Sequence, residues 1–123
     1  MKPLSIAAAL SCLSGAAFAG PAGEWRIADG TAHVAIENCG GNLCGHVSWS
    51  KGQGDRDLGN LVGRPVIIGM KPHGGVWTGS IVNARDGQKY VGRISLHGER
   101  TLKVEGCVAG GLICGGQEWS RLK

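Results

Sequence analysis

The chain alternates short segments of period-two hydrophobicity with glycine-rich turns, and this alternation constrains its fold more than any other feature. Glycine accounts for 23 of the 123 residues. Turn sequences such as Asp29-Gly30 and Asp86-Gly87 recur roughly every ten residues, between segments in which apolar and polar side chains alternate. Successive side chains of a strand point to opposite faces, so the pattern predicts an antiparallel β protein whose strands each have one apolar face.

The first residues have the three parts of a secretory signal peptide. Lys2 supplies the positive charge, Leu4–Leu13 the apolar run, and Ala17–Ala19 the small-x-small cleavage site. Cleavage after Ala19 divides the chain into a signal peptide, residues 1–19, and a single domain, residues 20–123. We therefore expect an exported protein, either periplasmic or secreted.

Charge and hydropathy exclude several classes of function. The net charge of +4 is small and its lysines and arginines are scattered, which argues against a nucleic-acid groove. Beyond the leader, no apolar run approaches the roughly 18 residues that a membrane helix needs, so no membrane span is predicted.

Four cysteines follow the predicted leader: Cys39, Cys44, Cys107 and Cys114. An even number of cysteines behind an export signal indicates disulfides, and the spacings lack the two-residue interval of a zinc knuckle. Four cysteines allow three connectivities, so the choice among them depends on strand register.

The turns that align apolar residues on one face predict the strand registers, since a slip of one residue inverts every side chain. A turn at Asp29-Gly30 sets Trp25 opposite Val34 and Arg26 opposite His33. Setting Cys39 opposite Cys44 gives the inward pairs Ile36–Val47 and Val34–Trp49 and the outward pair Glu37–His46.

The hairpins of the second half follow in the same way. A turn at Asp86-Gly87 gives the inward pairs Trp77–Leu96, Gly79–Ile94, Ile81–Gly92 and Asn83–Tyr90. A loop at Gly98–Arg100 gives Leu96–Leu102, Ile94–Val104 and, outside, Arg93–Glu105. Setting Cys107 opposite Cys114 gives Leu102–Trp119, Val104–Gln117 and, outside, Lys103–Glu118.

These registers predict disulfides Cys39–Cys44 and Cys107–Cys114, each on the outer face at the end of its own hairpin. Eight strands follow, over residues 23–28, 32–38, 45–50, 66–70, 76–83, 89–97, 101–107 and 116–122. A long sheet with one apolar face and no covering helix should close on itself. We predict a small, eight-stranded, up-and-down antiparallel β-barrel, with a two-sheet sandwich as the alternative.

An ordered set of motifs resembles a known bacterial family. The motifs are Gly23-Glu24-Trp25, Cys39-Gly-Gly-Asn-Leu-Cys-Gly45, Asp57-x-x-Asn60, Arg64-Pro65-Val-Ile-Ile-Gly69, Trp77-Thr-Gly79, Asp86-Gly-x-x-Tyr90, Leu102-x-x-x-Gly106 and Trp119-Ser-Arg121. They resemble the exported family called domain of unknown function 2147 over essentially the whole mature chain. The resemblance implies a lipocalin-like barrel of the bacterial envelope with unassigned biochemistry. It also echoes the lipocalin pattern of Gly-x-Trp on the first strand and an arginine after the last, which implies that Arg121 covers an indole ring at one end of the barrel.

Aromatic side chains on the predicted inner face suggest a ligand site. The candidate ligand-binding residues are Trp25, Trp49, Trp77, Tyr90, Trp119 and Arg121. Small barrels can enclose an apolar molecule, and the leading hypothesis is a non-enzymatic exported barrel that binds a small apolar or amphipathic molecule. In the alternative, the indoles fill a barrel of this size completely.

The segment of residues 51–65 is long for a connection in a compact domain. It contains the candidate interaction residues Asp55, Asp57, Asn60 and Arg64. A second hypothesis makes it the contact surface of an envelope protein-interaction module, a hydrolase inhibitor or a cell-wall accessory. Alternatively, it is a turn-rich crossover in which Asp57 and Asn60 bond to their own backbone amides. Its carboxylates do not fit a calcium-loop template, and no metal is predicted.

Catalytic residues and cofactors are not predicted. The four histidines are spread over several strands and one loop, and Glu24, Glu37, Glu105 and Glu118 all fall on the predicted outer face. Glycoside hydrolysis needs two carboxylates that face each other, so it is not expected. The glycine pairs lack the strand-then-helix context of a phosphate-binding loop and are interpreted as turns.

Overall fold

The alternating segments form eight β-strands in the computed structural model, which describes residues 20–52, 60–108 and 113–123. The strands are β1 (Gly23–Arg26), β2 (Ala32–Cys39), β3 (Asn42–Ser50), β4 (Pro65–His73), β5 (Val76–Val82), β6 (Lys89–His97), β7 (Thr101–Val108) and β8 (Ile113–Arg121). The predicted signal peptide lies outside the described residues. The part of the chain that the structure describes contains no helix long and apolar enough to cross a membrane.

The strands close into one barrel in sequence order. Each strand pairs antiparallel with the next, and β1 also pairs with β8, where Trp25 lies opposite Arg121. The predicted eight-stranded up-and-down barrel is confirmed, and the sandwich alternative is wrong. Closure leaves no unpaired sheet edge, which explains how an all-β chain of this length buries its apolar face without a covering helix.

Three hairpins have the predicted registers. Trp25 lies opposite Val34 in the β1–β2 pair. The β6–β7 and β7–β8 pairs set Leu102 opposite both Leu96 and Trp119. Both predicted disulfides are present, Cys39–Cys44 and Cys107–Cys114. On the outer face, Arg93 donates from Nε to Glu105 Oε1 (3.1 Å), as the predicted cross-strand pair requires.

The β2–β3 hairpin is shifted by two residues from the predicted register. It turns tightly through Gly40 and Gly41, whose φ angles of 68° and 95° favour glycine, so Cys39 lies opposite Asn42 and not opposite Cys44. The predicted Glu37–His46 pair is therefore wrong, since Glu37 lies opposite Cys44. The disulfide joins the two strands diagonally. A register shift of two residues does not change the face of any side chain, so the side chains between this turn and Val47 lie on their predicted faces.

A bulge farther along this hairpin moves Trp49 to the outside. The register changes between His33 and Val34: Val34 lies opposite Val47, whereas His33 lies opposite Trp49, so Ser48 is the extra residue. Trp49 is 39% exposed, and its ring lies 4.6 Å from that of His33 between centroids. The predicted inward placement of Trp49 is wrong because one inserted residue inverts the alternation after it.

The β5–β6 hairpin also differs from prediction by two residues. Trp77 lies opposite Ile94 because the turn is longer than Asp86-Gly87 alone, closing where Asn83 N donates to Gln88 O (2.8 Å). The predicted pairs Trp77–Leu96, Gly79–Ile94, Ile81–Gly92 and Asn83–Tyr90 are therefore wrong, although the faces are kept. The side chain of Ile81 still covers Gly92, since a Cβ built there would collide with Ile81 Cγ1.

The inner face forms one apolar core with two unlike ends. Its buried members are Trp25, Ala32, Val34, Ile36, Leu43, Val47, Val66, Ile67, Met70, Ile94, Leu102, Val104 and Trp119. Up-and-down topology places the β2–β3, β4–β5 and β6–β7 turns at one end, with the start of β1 and the end of β8. We call this the plugged end. The β1–β2, β3–β4, β5–β6 and β7–β8 connections lie at the other end, called the open end.

Candidate functional site

The plugged end is sealed by an arginine stacked on an indole. Arg121, 5% exposed, lies with its guanidinium carbon 4.3 Å from the centroid of the fully buried Trp25 ring. The Nε1–H of Trp25 donates to the carbonyl of Pro21 (2.8 Å), so the polar atom of this indole has a partner. This is the arrangement that the family resemblance implies, and it closes the barrel by a cation–π contact.

Arg121 also binds the chain segments that cross this end. Its Nε donates to Glu99 O (2.6 Å), Nη1 to Ala22 O (2.9 Å) and Nη2 to Gly20 O (2.7 Å). Burial lowers the pKa of Arg121, the Glu99 carboxylate raises it, and the neighbouring Arg100 lowers it. Three charge-assisted bonds offset the desolvation of a buried cation, so Arg121 joins the β6–β7 turn to the residues that precede β1.

The open end leads into a cavity of about 550 Å³ inside the barrel. Its wall is mostly apolar and includes Val34, Val47, Ile81, Val104 and Trp119. Polar side chains at the rim come from the connections of this end: Asp29, Thr31, Asn83 and Arg85. The sequence left a filled interior and an open one as alternatives; the described interior is packed around Met70, Ile94 and Leu102 and has this cavity towards the open end.

Trp119 presents a fixed apolar surface to the cavity. Its Nε1–H donates to Gln117 Oε1 (2.8 Å), and the backbone N–H of Ala28 donates to the same oxygen (3.3 Å). Gln117 thereby ties the indole of β8 to the turn that follows β1. The ring is buried in the core, so it contributes a small apolar area to the cavity wall, with its polar atom already bonded.

Glycines leave room on one side of the cavity. Gly106 lies opposite Gly115 in the β7–β8 pair, and both line the cavity beside Tyr90. A Cβ at Gly106 would lie 3.5 Å from Tyr90 Cβ, whereas a Cβ at Gly115 would meet no atom within 4 Å. Two facing residues without side chains therefore account for part of the open volume.

The described part of the 51–65 connection is bonded to the barrel. Asn60 Oδ1 accepts from Val62 N (3.0 Å), and Arg64 Nη1 donates to Ala84 O (2.8 Å) in the β5–β6 connection. The Asn60 contact is the local turn anticipated in the crossover alternative. Asp55 and Asp57 lie outside the described residues. The use of this segment as a contact surface for another protein stays a prediction.

The β1–β2 turn carries an acidic group at the rim. Asp29 Oδ1 accepts from the backbone N–H (2.9 Å) and the hydroxyl (2.6 Å) of Thr31. These two hydrogen bonds lower the pKa of Asp29 below its ordinary value of 3.8, burial opposes them, and the charge of Arg85 lowers it further. Asp29 is therefore an ionised group bound within its own turn, with Arg85 nearby.

The structure divides the six aromatic and basic candidates among three places. Tyr90 and Trp119 line the cavity. Trp25 and Arg121 form the plug, and Trp77 packs partly buried on the core near that end. Trp49 lies outside.

Groups that could carry catalysis or bind a metal do not converge in the described residues. Glu24 lies on the outer face, where it accepts from Ser48 Oγ (2.6 Å) and lies 3.8 Å from Lys123 Nζ. One metal-like cluster, Glu37 with Cys39 and Cys44, is also on the outside, and both of its sulfurs are joined in a disulfide. A disulfide sulfur is not the thiolate that binds metals, so this cluster is not a metal centre.

Comparisons with known proteins agree with this geometry. Residues 23–121 match the family described as "Uncharacterized protein conserved in bacteria (DUF2147)". The chain belongs to this family. The match spans the barrel from the first residue of β1 to the last residue of β8, which includes the plug and both disulfides.

A solved structure has a similar fold. The chain resembles the structure described as "Protein HP1028 from the human pathogen Helicobacter pylori belongs to the lipocalin family", with a TM-score of 0.65. Identity is 16%, and the alignment covers 83% of this chain and 82% of that one. At this identity the likeness establishes the lipocalin-like fold alone. No curated protein matches the sequence significantly.

Sequence reasoning did not find three residues of the open end. Ser50, Lys51 and Arg85 line a smaller cavity of about 240 Å³ at the rim. Ser50 faces inward only because the bulge at Ser48 inverts the alternation, and Arg85 reaches the rim through a turn longer than predicted. The alternation of apolar and polar residues does not reveal the bulge or the longer turn. The inward position of Gln117, by contrast, followed directly from the predicted β7–β8 register.

Proposed function

We propose that this protein is an exported, non-enzymatic barrel that binds a small apolar or amphipathic molecule in the cavity at its open end. The observation that carries the proposal is the 550 Å³ cavity, with apolar walls and a polar rim. Small-molecule sites have volumes of about 300–1,000 Å³ and combine mostly apolar linings with few polar groups. An amphipathic molecule would place its apolar part against Trp119 and its polar part at the rim.

Two features support export. The first residues have the composition of a signal peptide, and the two disulfides are bonds that persist in oxidising compartments. Both disulfides close short loops within a hairpin, so they hold strand register around the core. A binding protein of the periplasm or the extracellular space is consistent with these features.

Filling the cavity tests the binding site directly. Gly115→Leu adds a side chain at a position with open space around it and a φ angle outside the left-handed region. Ser120→Leu adds the same side chain on the outer face of the same strand and is the matched control. The probe is the neutral dye N-phenyl-1-naphthylamine, whose fluorescence rises in an apolar site.

We expect wild type and Ser120→Leu to bind the dye with equal affinity and Gly115→Leu to bind it at least about tenfold more weakly, because the leucine occupies the dye's volume. Circular dichroism and urea titration verify that each variant is folded. Equal binding by all three proteins, or no binding by wild type, would contradict the proposal.

A further inference from the structure

Ser50 has a buried hydroxyl that the fold does not satisfy. It is 2% exposed at the end of β3, and its Oγ has no hydrogen-bond partner among the residues that the structure describes. A buried polar group without a partner costs about 1–3 kcal/mol, and the large majority of such groups in folded proteins are bonded. Among the described residues nothing satisfies this hydroxyl, which makes it a candidate to bond a ligand.

The space beside Ser50 is a second cavity that shares part of its lining with the main one. The rim cavity of about 240 Å³ is lined by Ser50, Lys51, Thr31, Leu61 and Arg85. Three of these residues, Thr31, Leu61 and Arg85, also line the main cavity. The polar end of a molecule whose tail lies against the apolar wall would therefore lie near these shared residues, next to the cavity that Ser50 lines.

Among the described residues, the charged side chains that line this rim cavity are both positive. Lys51 and Arg85 contribute two cations to its lining. The neighbouring anion is Asp29, which lines the main cavity and accepts two bonds from Thr31. A third cation, Arg64, lies in the β3–β4 connection, where its Nη1 donates to the carbonyl oxygen of Ala84. The described side chains that line the two cavities thus leave one positive charge in excess, together with a hydroxyl donor.

We infer that Ser50, Lys51 and Arg85 form a subsite for the anionic headgroup of a single-chain amphiphile whose tail lies in the main cavity. The headgroup carries anionic oxygens, which accept from the Ser50 hydroxyl and from the two cations. Hydrogen bonds between charged partners are roughly twice as strong as neutral ones, so this subsite selects anionic over neutral amphiphiles. The inference rests on the proposed function, since the headgroup is positioned only if the tail occupies the cavity.

Headgroup selection is tested with probes that share one tail. Decanoate, decyl phosphate, decanol and decyltrimethylammonium are each titrated, as monomers at mildly alkaline pH, against protein loaded with N-phenyl-1-naphthylamine. We expect at least one of the two anions to displace the dye at about tenfold lower concentration than decanol, and the cation to be weakest. The two anions distinguish a carboxylate source from a phosphate source. Added salt should reduce the advantage of the anion because the subsite is partly open to solvent.

Variants assign the effect to the three residues. Arg85→Gln and Lys51→Gln should each weaken binding of the preferred anion about fivefold and leave decanol unchanged. Arg100→Gln and Lys71→Gln, which alter exposed cations away from the cavity, are the matched controls and should change neither.

Ser50→Ala separates a ligand-binding hydroxyl from a hydroxyl bonded to water. If the hydroxyl is unpartnered in the free protein, its removal should leave the free protein equally stable or more stable in urea. The same variant should weaken binding of the preferred anion about threefold. A destabilised variant with unchanged anion affinity would show that Ser50 binds structural water and would overturn its part in the subsite.

The two proposals fail differently. If wild type binds the dye but decanol displaces it as well as both anions do, the headgroup subsite is wrong and the binding cavity stands. If the dye does not bind wild type, the binding function itself is wrong. Loss of anion preference in the Arg100 or Lys71 variants, as large as in Arg85→Gln or Lys51→Gln, would also overturn the subsite.

Discussion

The two ends of the barrel each contain a buried tryptophan and use it in opposite ways. At the plugged end, Trp25 is covered by Arg121 and bonded to Pro21, so its ring is part of a sealed layer. At the open end, Trp119 is bonded to Gln117 through its Nε1–H and borders empty space. What lies beside an indole, here a guanidinium or a cavity, therefore decides whether the indole closes the barrel or lines a site.

Truncating the plug should have the largest effect on stability. Trp25→Ala removes a fully buried indole, which we expect to lower the free energy of unfolding by about 3–5 kcal/mol. Trp49→Ala, the control on the outer face, should cost about 1 kcal/mol or less. Urea denaturation followed by circular dichroism measures both. A small loss for Trp25→Ala would mean that the plugged end is as loosely packed as the open end.

Removing the guanidinium of Arg121 should have the next largest effect on the free energy of unfolding. Arg121→Gln loses the ring contact and leaves carbonyls of Gly20, Ala22 and Glu99 without their donor, so we expect a loss of about 2–3 kcal/mol. Arg93→Gln, which breaks only an exposed ion pair, should cost about 0–1 kcal/mol. Dye binding by folded Arg121→Gln should equal that of wild type. Weakened binding there would show that the two ends are coupled.

The two disulfides offer a finer comparison, since one lies at each end. Each closes a short loop, so replacing either pair by alanines should cost about 2 kcal/mol. Only the Cys107–Cys114 bridge is adjacent to the cavity glycines Gly106 and Gly115. Its loss should also weaken dye binding, whereas loss of Cys39–Cys44 should not. Equal effects on binding would contradict the separation of the two ends.

The smallest expected effect is the pH dependence of the rim. The folded-state pKa of Asp29 is lowered, so its stabilising contribution is present above the unfolded-state pKa near 3.8 and is lost as the pH falls through the lower folded value. The group is largely exposed, which limits the contribution to about 0.5 kcal/mol or less. Wild type and Asp29→Asn should differ by this amount at neutral pH and converge below pH 3.8 in urea titrations. A difference that persists in acid would point to a cause other than ionisation.

Sequence reasoning predicted the register of the β7–β8 hairpin correctly and that of the β2–β3 hairpin incorrectly. In the β7–β8 hairpin, Cys107 and Cys114 and the charged pair Lys103–Glu118 all indicate one alignment. In the β2–β3 hairpin, alignments that differ by two residues keep the same faces inward. The Gly40-Gly41 turn decided between them through its left-handed backbone, a preference that face patterns do not contain.

The candidate site was predictable only in part. Tyr90 and Trp119 follow from alternation along β6 and β8, and both line the cavity. Trp49 was misplaced and Ser50 was missed for one reason, the bulge at Ser48, since a single extra residue exchanges inside and outside for the rest of the strand.

The sequence by itself determined the fold class, the number and order of the strands, the disulfide pairing and the inner face up to the bulge at Ser48, because the alternation of side chains and the turn residues are local properties of the chain. Only the tertiary structure decided that the indole beneath Arg121 is that of Trp25 and that the space beside Gly106 and Gly115 is left open. These depend on which inward side chains share a level of the closed barrel. The height of each inward side chain along the barrel axis depends on the register shifts and bulges of all eight strands. Which side chains meet at one height decides whether that part of the interior is filled or open.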